Sequence, residues 1–370
     1  LTSQIHPLDG DRPMRVLIVR IGAMGDVLHA MPAVAALRER HPDWFIGWVI
    51  EPRWLPLLQA EGEGSASSTR GLAMPLVDRA YLSASQEWKR RPFSRDTLED
   101  IFSLRRELRT GQFDLCVDMQ GLIRSAVIGK MAEAKRFVGR AKPREMPARW
   151  FYGLRMKTDA VHVIEQGCEL LGAAVGEGLQ PAKVLLPIDD AAESRCDALL
   201  ARALPGGGPF VMLAPAAGWG SKVWPSERFG GVAAELGRAG YRVLVNAVSG
   251  EDARAAEVVQ TSGGYAVAVP CGVSEMIAMV RRSALVIAGD SGPLHLAAAL
   301  GKPVVGLYGP TDPARTGPYG TASRVRRHEA SQTDHSRRGG AEAGLMQITV
   351  DEVAGAALEL LRGEQDKVVV

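Results

Sequence analysis

Asp26, Lys222 and Asp290 each stand where an apolar run gives way to small residues and then to a helical pattern, the place where an α/β chain presents side chains to a ligand. In RVLIVRIGAMGDVLHAMPAV, Gly22 and Gly25 let the backbone turn tightly, and Asp26 falls at the start of a helix whose exposed N–H groups favour a carboxylate. Three readings follow: a helix N-cap, a base aimed at a hydroxyl, or part of a dinucleotide fingerprint completed by Glu51 at the end of the next strand. The third fits worst, because the spacing is G-x-x-G-D rather than G-x-G-x-x-G and an acid there repels a pyrophosphate.

The second loop, PAAGWGSKVWPSERF, sets Lys222 between small residues and a helix starting near Ser226, with Trp219 and Trp224 beside it. One ammonium there can neutralise a phosphate; a solvated surface lysine is the plain alternative. In the third, ALVIAGDSGPLHLAAALGKPVVGLYGPTDP, a buried strand delivers Asp290, Ser291 and Gly292 to a helix N-terminus, Pro293 sits where a missing N–H costs nothing, and Gly301 stops the helix. Such an end seats a diphosphate through its amides and dipole, leaving Asp290 free to accept hydrogen bonds from sugar hydroxyls. His295, one turn in, reads as a core histidine or as a polar contact to the ligand. Glu251, just past the Ser249-Gly250 turn, suits a ribose diol or an ordinary first helical turn.

These loops need strands that end together. The order strand, glycine turn, amphipathic helix occurs in both halves of the chain, the pattern of parallel α/β architecture. Strands are expected at 15–20, 46–51 and 115–118, then at 210–214, 241–246, 266–269, 285–288 and 303–308; helices at 27–40, 98–110, 125–134, 191–204 and 349–362. The expected organisation is a disordered extension 1–13 with Met14 as the natural start, a Rossmann-like domain 14–185, a linker 186–207, a second Rossmann-like domain 208–348, and a C-terminal helix and tail 349–370. Two doubly wound domains of this kind face a central cleft, where ligands bind.

At 370 residues with 46% hydrophobic content, the chain can bury two ordinary cores. Lys and Arg total 44 against 42 Asp and Glu, so a general nucleic-acid binder is excluded and any basic site is local. Cys116, Cys168, Cys196 and Cys271 form no C-x-x-C pair and read as buried thiols. No stretch reaches the roughly 20 apolar residues of a membrane span and no signal-peptide layout opens the chain, which points to the cytosol.

Taken in order, MGDVLHAMPAV, DMQGL at 118–122, WGSKVWP and GDSGPLHLAAALGKPVVGLYGPTDP resemble the ADP-heptose:lipopolysaccharide heptosyltransferases of glycosyltransferase family 9, type I more than type II. The resemblance covers 14–320. It implies a GT-B fold, an inverting mechanism, ADP-heptose as donor and the Kdo of a Kdo-lipid A type acceptor at the membrane surface, with no metal or cofactor and a monomeric enzyme that can be peripheral at the inner membrane. It also implies Asp26 as general base, Lys222 on the diphosphate, Glu251 on the ribose, and Asp290, Ser291, Gly292 and His295 along the donor. Gly25, Gln120, Arg124 and Arg144 fall to the acceptor, Arg144 with Glu145 matching the family's arginine–glutamate pair. The segment 87–157 is rich in basic residues that suit an anionic acceptor, Arg124 and Arg144 ahead of Lys89, Arg90 and Arg91.

Two departures stand out. Ala216, Ala217 and Gly218 replace the hydroxyl residues that type I enzymes often carry ahead of the lysine, and 328–344 lacks the cysteines of many relatives and reads as a mobile polar loop. Alternatives are a family-9 transferase with another sugar nucleotide or a protein acceptor, a nicotinamide oxidoreductase, and a non-catalytic ADP-sugar-binding module.

Overall fold

The computed structural model describes residues 12–62, 70–334, 340 and 342–368, with side chains followed to Gly363. The expected extension 1–13 therefore lies, up to residue 11, outside the described residues. The chain divides into two compact units, Leu1–Ile188 and Asp189–Val370.

The first unit runs β1 (Arg15–Val19), α1 (Met24–Arg40), β2 (Phe45–Ile50), β3 (Arg79–Leu82), α2 (Ser85–Arg90), α3 (Arg95–Thr110), β4 (Leu115–Asp118), α4 (Ile123–Met131), β5 (Arg136–Arg140), β6 (Leu154–Met156) and α5 (Val163–Val175). Among the described residues its strands form one parallel sheet in the order β3-β2-β1-β4-β5-β6. Val16, Leu17, Ile18 and Val19 of β1 are all fully buried, as the unbroken apolar run of a strand covered on both faces requires.

The second unit runs α6 (Asp190–Ala203), β7 (Phe210–Ala214), α7 (Ser226–Arg238), β8 (Arg242–Ala247), α8 (Ala253–Thr261), β9 (Ala266–Pro270), α9 (Val273–Arg282), β10 (Leu285–Gly289), α10 (Gly292–Ala299), β11 (Val304–Tyr308), α11 (Pro313–Thr316), β12 (Ser323–Arg327) and α12 (Val350–Val368). Its sheet is parallel too, in the order β12-β11-β10-β7-β8-β9. In each unit the order reverses between the first and fourth strands, the switch point where doubly wound sheets open a crevice for ligands. The loops after β1 and β4 flank one switch point; those after β7 and β10 flank the other.

Four strands go beyond the sequence reading: β3, β5, β6 and β12. All are short, and RAYL, RFVGR and SRVRR carry arginine at one end or throughout, which hides the apolar signal. On an edge strand such as β12 the charges also discourage unwanted pairing.

The apolar stripe of α12, Val353, Ala356, Ala357, Leu360 and Leu361, is buried in one core with Leu213, Val232 and Leu236. Within 186–207, α6 joins α9 through Glu193, which pairs with Arg281 at 2.5 Å and with Arg282. The expected mobile loop 328–344 is tied down at its described ends. Glu342 accepts from Leu345 N at 2.7 Å, Ser331 Oγ at 3.1 Å and Gln332 N at 3.3 Å, while 335–339 and 341 lie outside the described residues.

Candidate active site

In the first unit the chain leaves β1 at Arg20 and enters α1 at Met24, and the intervening loop is clamped from three sides. Gln120, in the loop after β4, accepts from Ile21 N at 2.7 Å and donates to Gly22 O at 2.7 Å, so one side-chain amide imitates a strand neighbour. Glu51 N donates to Ile21 O at 3.0 Å and Trp48 Nε1 to Arg20 O at 3.0 Å. Gly22 also lets Trp54 pack against the loop, since a Cβ there would stand 2.9 Å from Trp54 Nε1.

Asp26 lies in the first turn of α1, but it is not the N-cap; that position is Ala23, with no side-chain cap. Its Oδ1 is 3.1 Å from Arg20 Nη2, whose guanidinium is itself fixed by Nε donating to Asp26 O at 2.9 Å and Nη1 to Met119 O. Its Oδ2 has Arg144 Nη1 at 3.8 Å. The carboxylate is 30% exposed and Arg144 50% exposed, so the site is open to a ligand while Arg20 stays inside.

Asp118, at the end of β4 and almost fully buried, organises the rest of this face. Its Oδ1 accepts from Gln120 N at 2.9 Å and Gly121 N at 3.0 Å, and its Oδ2 from Ser125 Oγ at 2.8 Å and Tyr152 OH at 2.7 Å. Burial raises the carboxyl above its ordinary range, and the four donors offset this only in part. Burial, with the Asp118 charge, pushes the Tyr152 phenol up strongly. Gly121, with φ at +72°, lets Arg144 N come within 3.0 Å of where a Cβ would be.

The second unit holds a buried charge cluster. Lys222, in a helical turn after β7, has Nζ 2.5 Å from Asp290 Oδ2 and 4.4 Å from the Trp219 ring. His295 Nε2 is 2.9 Å from Asp290 Oδ1. Burial opposes ionisation of Asp290, but His295 and Lys222 outweigh it and hold the carboxyl well below the usual carboxylate range. Gly289 permits the meeting: a Cβ there would be 3.1 Å from Lys222 O. Next to this cluster α10 begins without a side-chain cap, and the buried Ser291 Oγ has no hydrogen-bond partner among the described residues. Amides and a hydroxyl are thus left for an anion at this helix end.

The structure brings Gly25, Asp26, Gln120 and Arg144 to one edge of the first sheet and Lys222, Asp290, Ser291, Gly292 and His295 to one edge of the second. Several expectations change in detail. Asp290 is not free for sugar hydroxyls, because one oxygen pairs with the Lys222 ammonium and the other is bonded to the His295 ring. Gln120 is spent on the loop backbone rather than on an acceptor. Arg144 and Glu145 part company: Arg144 faces Asp26, and Glu145 accepts from Ile123 N at 2.8 Å at the start of α4. Arg124 follows at the second position of α4, half-buried. Glu251 is exposed and precedes α8, whose cap is Asp252.

Glu51, the acid of the dinucleotide alternative, is consumed internally by Ser85 Oγ at 2.9 Å and Arg53 Nε at 3.0 Å. Arg20, Asp118 and Tyr152 join the site only through the tertiary structure. A charge directly after the buried apolar run Val16 to Val19 is the available signal for Arg20.

The sequence profile of glycosyltransferase family 9 (heptosyltransferase) matches residues 101–344, more than half of the chain. The chain belongs to glycosyltransferase family 9. This transferase is 28% identical over 316 residues to lipopolysaccharide heptosyltransferase 1 of Salmonella typhimurium, an alignment covering 83% of the chain and 92% of that relative. E. coli heptosyltransferase WaaC with ADP matches it at a TM-score of 0.74, with 24% identity, over 94% of this chain and 100% of that one. WaaC with ADP-2-deoxy-2-fluoro heptose matches at 0.71, again with 24% identity, over 94% and 99%. The transferase thus has the GT-B fold of two doubly wound units, and it is an enzyme of the heptosyltransferase family.

Proposed function

We propose that this transferase moves a heptose from ADP-heptose to the Kdo of the lipopolysaccharide inner core, at the cytoplasmic face of the membrane, with inversion at the anomeric carbon. The observation that carries the reading is Asp26: a part-exposed carboxylate with one oxygen fixed by Arg20 and the other in only a long contact with Arg144. That second oxygen takes the proton of an acceptor hydroxyl as the hydroxyl oxygen attacks the anomeric carbon. The bond to the ADP oxygen breaks on the opposite face, and ADP leaves with the electron pair.

The donor belongs to the second unit. Lys222, steered by Asp290 and stacked on Trp219, retains an ammonium hydrogen for the diphosphate, and the Ser291 and Gly292 amides at the start of α10 stabilise the charge that grows there. His295 holds Asp290 in place, and Glu251 takes the ribose diol. The acceptor belongs to the first unit, where Gly25 allows close approach and Arg124 and Arg144 grip its anionic groups. Two facts about relatives support the assignment: the curated relative is a lipopolysaccharide heptosyltransferase 1, and the matching WaaC structures hold ADP and an ADP-heptose analogue.

The test is turnover of ADP-heptose with a Kdo-bearing acceptor, measured beside a panel of other nucleotide sugars and a protein acceptor. ADP-heptose should be the best donor and the product should be the inverted anomer. Faster turnover with another donor would displace the substrate assignment, and a retained anomeric configuration would displace the single displacement.

A further inference from the structure

Phe93 is 93% exposed, more than any other large apolar side chain among the described residues. It lies in WKRRPFSR, residues 88–95, the corner between α2 and α3, where Lys89, Arg90, Arg91 and Arg95 are all exposed and no acidic residue intervenes. None of these four cations pairs with a described residue.

The pattern continues into α3. Its inward face is Thr97, Leu104 and Leu108, while Leu98, 45% exposed, and Phe102, 63% exposed, stand one turn apart on the outward face. At 100° per residue Arg95 and Arg106 share that outward face, with Glu99 at its margin beside Arg106, whereas Asp96 and Asp100 fall on the other flank. Three exposed apolar side chains are therefore framed by cations.

The corner is firmly attached. Ser85 Oγ and Gln86 N bond Glu51 Oε1 at 2.9 and 3.2 Å, and Trp88 Nε1 reaches Asp100 Oδ2 at 3.4 Å. Glu51 directly follows β2 and α2 follows β3, so the corner rises from the same end of the parallel sheet that carries Asp26. With strands about 4.8 Å apart, β3 stands only about 10 Å across from β1.

We infer that the α2–α3 corner is a docking surface for an anionic phospholipid bilayer, with Phe93, Leu98 and Phe102 entering the interface and the cations meeting lipid phosphates. Exposed aromatic and aliphatic groups among unpaired cations match both layers of such a surface, while an acidic polymer would use the charges alone. The inference deepens the proposed function and rests on it in one respect, that the acceptor is carried by a lipid. Docking here would bring the Asp26 edge of the sheet to the plane where a lipid-borne sugar emerges.

The full-length protein, without donor or glycolipid, is sedimented with vesicles of phosphatidylcholine alone or mixed with phosphatidylglycerol. It should partition onto the mixed vesicles only. Replacing Lys89, Arg90 and Arg91 together by Ser should weaken that partition about 100-fold, and Phe93→Ser about tenfold. Phe93→Ser should also keep turnover on a deacylated, water-soluble acceptor and lose it on a vesicle-borne one.

Equal partition onto neutral and anionic vesicles, or wild-type binding by Phe93→Ser, would overturn the inference. So would capture by immobilised heparin without vesicle binding, which would assign the patch to an acidic polymer. Asp26→Asn keeps the two readings apart: if it turned over normally yet bound anionic vesicles, the catalytic assignment would fail and the docking surface would stand.

Discussion

Asp26 and Asp290 occupy matching places, each within a turn of a helix start at the carboxyl edge of a parallel sheet, yet their surroundings differ in the respect that matters for proton transfer. The Asp290 side chain is 6% exposed, and each of its oxygens has a partner within 3 Å, the Lys222 ammonium on one side and His295 Nε2 on the other. The Asp26 side chain is 30% exposed and has one close partner, Arg20 at 3.1 Å, with Arg144 at 3.8 Å. A saturated carboxylate orients the groups that saturate it; one with an unsaturated oxygen can accept a proton. Residue type and position relative to the sheet are the same, so the partners divide the roles.

The largest effect expected from this contrast is on turnover. Asp26→Asn keeps the shape and removes the basic oxygen, so kcat should fall by roughly 10²- to 10⁴-fold with little change in donor binding. Wild-type kcat in that variant would erase the contrast. Asp290→Ala should act on stability instead, because it strands Lys222 and His295 in a buried site. A loss of about 3–5 kcal/mol is expected in chemical denaturation.

The depressed Asp290 pKa supplies a pH signature. Its stabilising contribution is present above the unfolded carboxyl value near 3.9 and declines as pH falls toward the lower folded value, so the loss is confined to pH below about 4. The acid arm of the stability curve should therefore flatten in Asp290→Asn. A difference between wild type and variant that stayed constant as pH fell well below 4 would show that the pairing has been misjudged.

A smaller, more selective effect is expected at Lys222. Lys222→Met keeps an unbranched side chain but removes the ammonium that sits over Trp219, and calorimetry should show ADP binding weakened by roughly 10- to 100-fold. Unaltered affinity would limit Lys222 to neutralising Asp290. Gln120→Ala should orphan Ile21 N–H and Gly22 C=O, lowering stability by about 1–2 kcal/mol and loosening the Asp26 loop, so that kcat falls while the donor KM holds. The smallest change is expected for Glu251→Ala, a few-fold rise in donor KM with an unchanged melting temperature, since Asp252 supplies the cap of α8.

Much of the framework was legible before any coordinates. Long apolar runs identified β1, β2, β7, β10 and β11, and the stripe of α12 was read residue by residue. Strands β3, β5, β6 and β12 were not legible, because a short segment bearing arginines has neither the length nor the alternation that distinguishes a strand from a loop. In the site, the position of Asp26 and the anion-ready start of α10 followed from glycine and proline placement. The roles of Gln120, Glu51 and Asp290 as internal partners did not.

What the sequence by itself determined is the local grammar: buried strands that end in glycine turns, helices that begin at Asp26 and Ser291 to within a residue or two, and an ordered set of motifs that marks the family. These depend on φ preferences, missing N–H groups and apolar periodicity, all of which act over a few residues. Only the tertiary structure decided which charge meets which. The Lys222 to Asp290 contact spans 68 residues and the Gln120 to Gly22 contact 98, and such pairings depend on how the sheets order their strands. Strand order places the loops around a switch point, and the side chains that meet there divide proton acceptance from charge orientation.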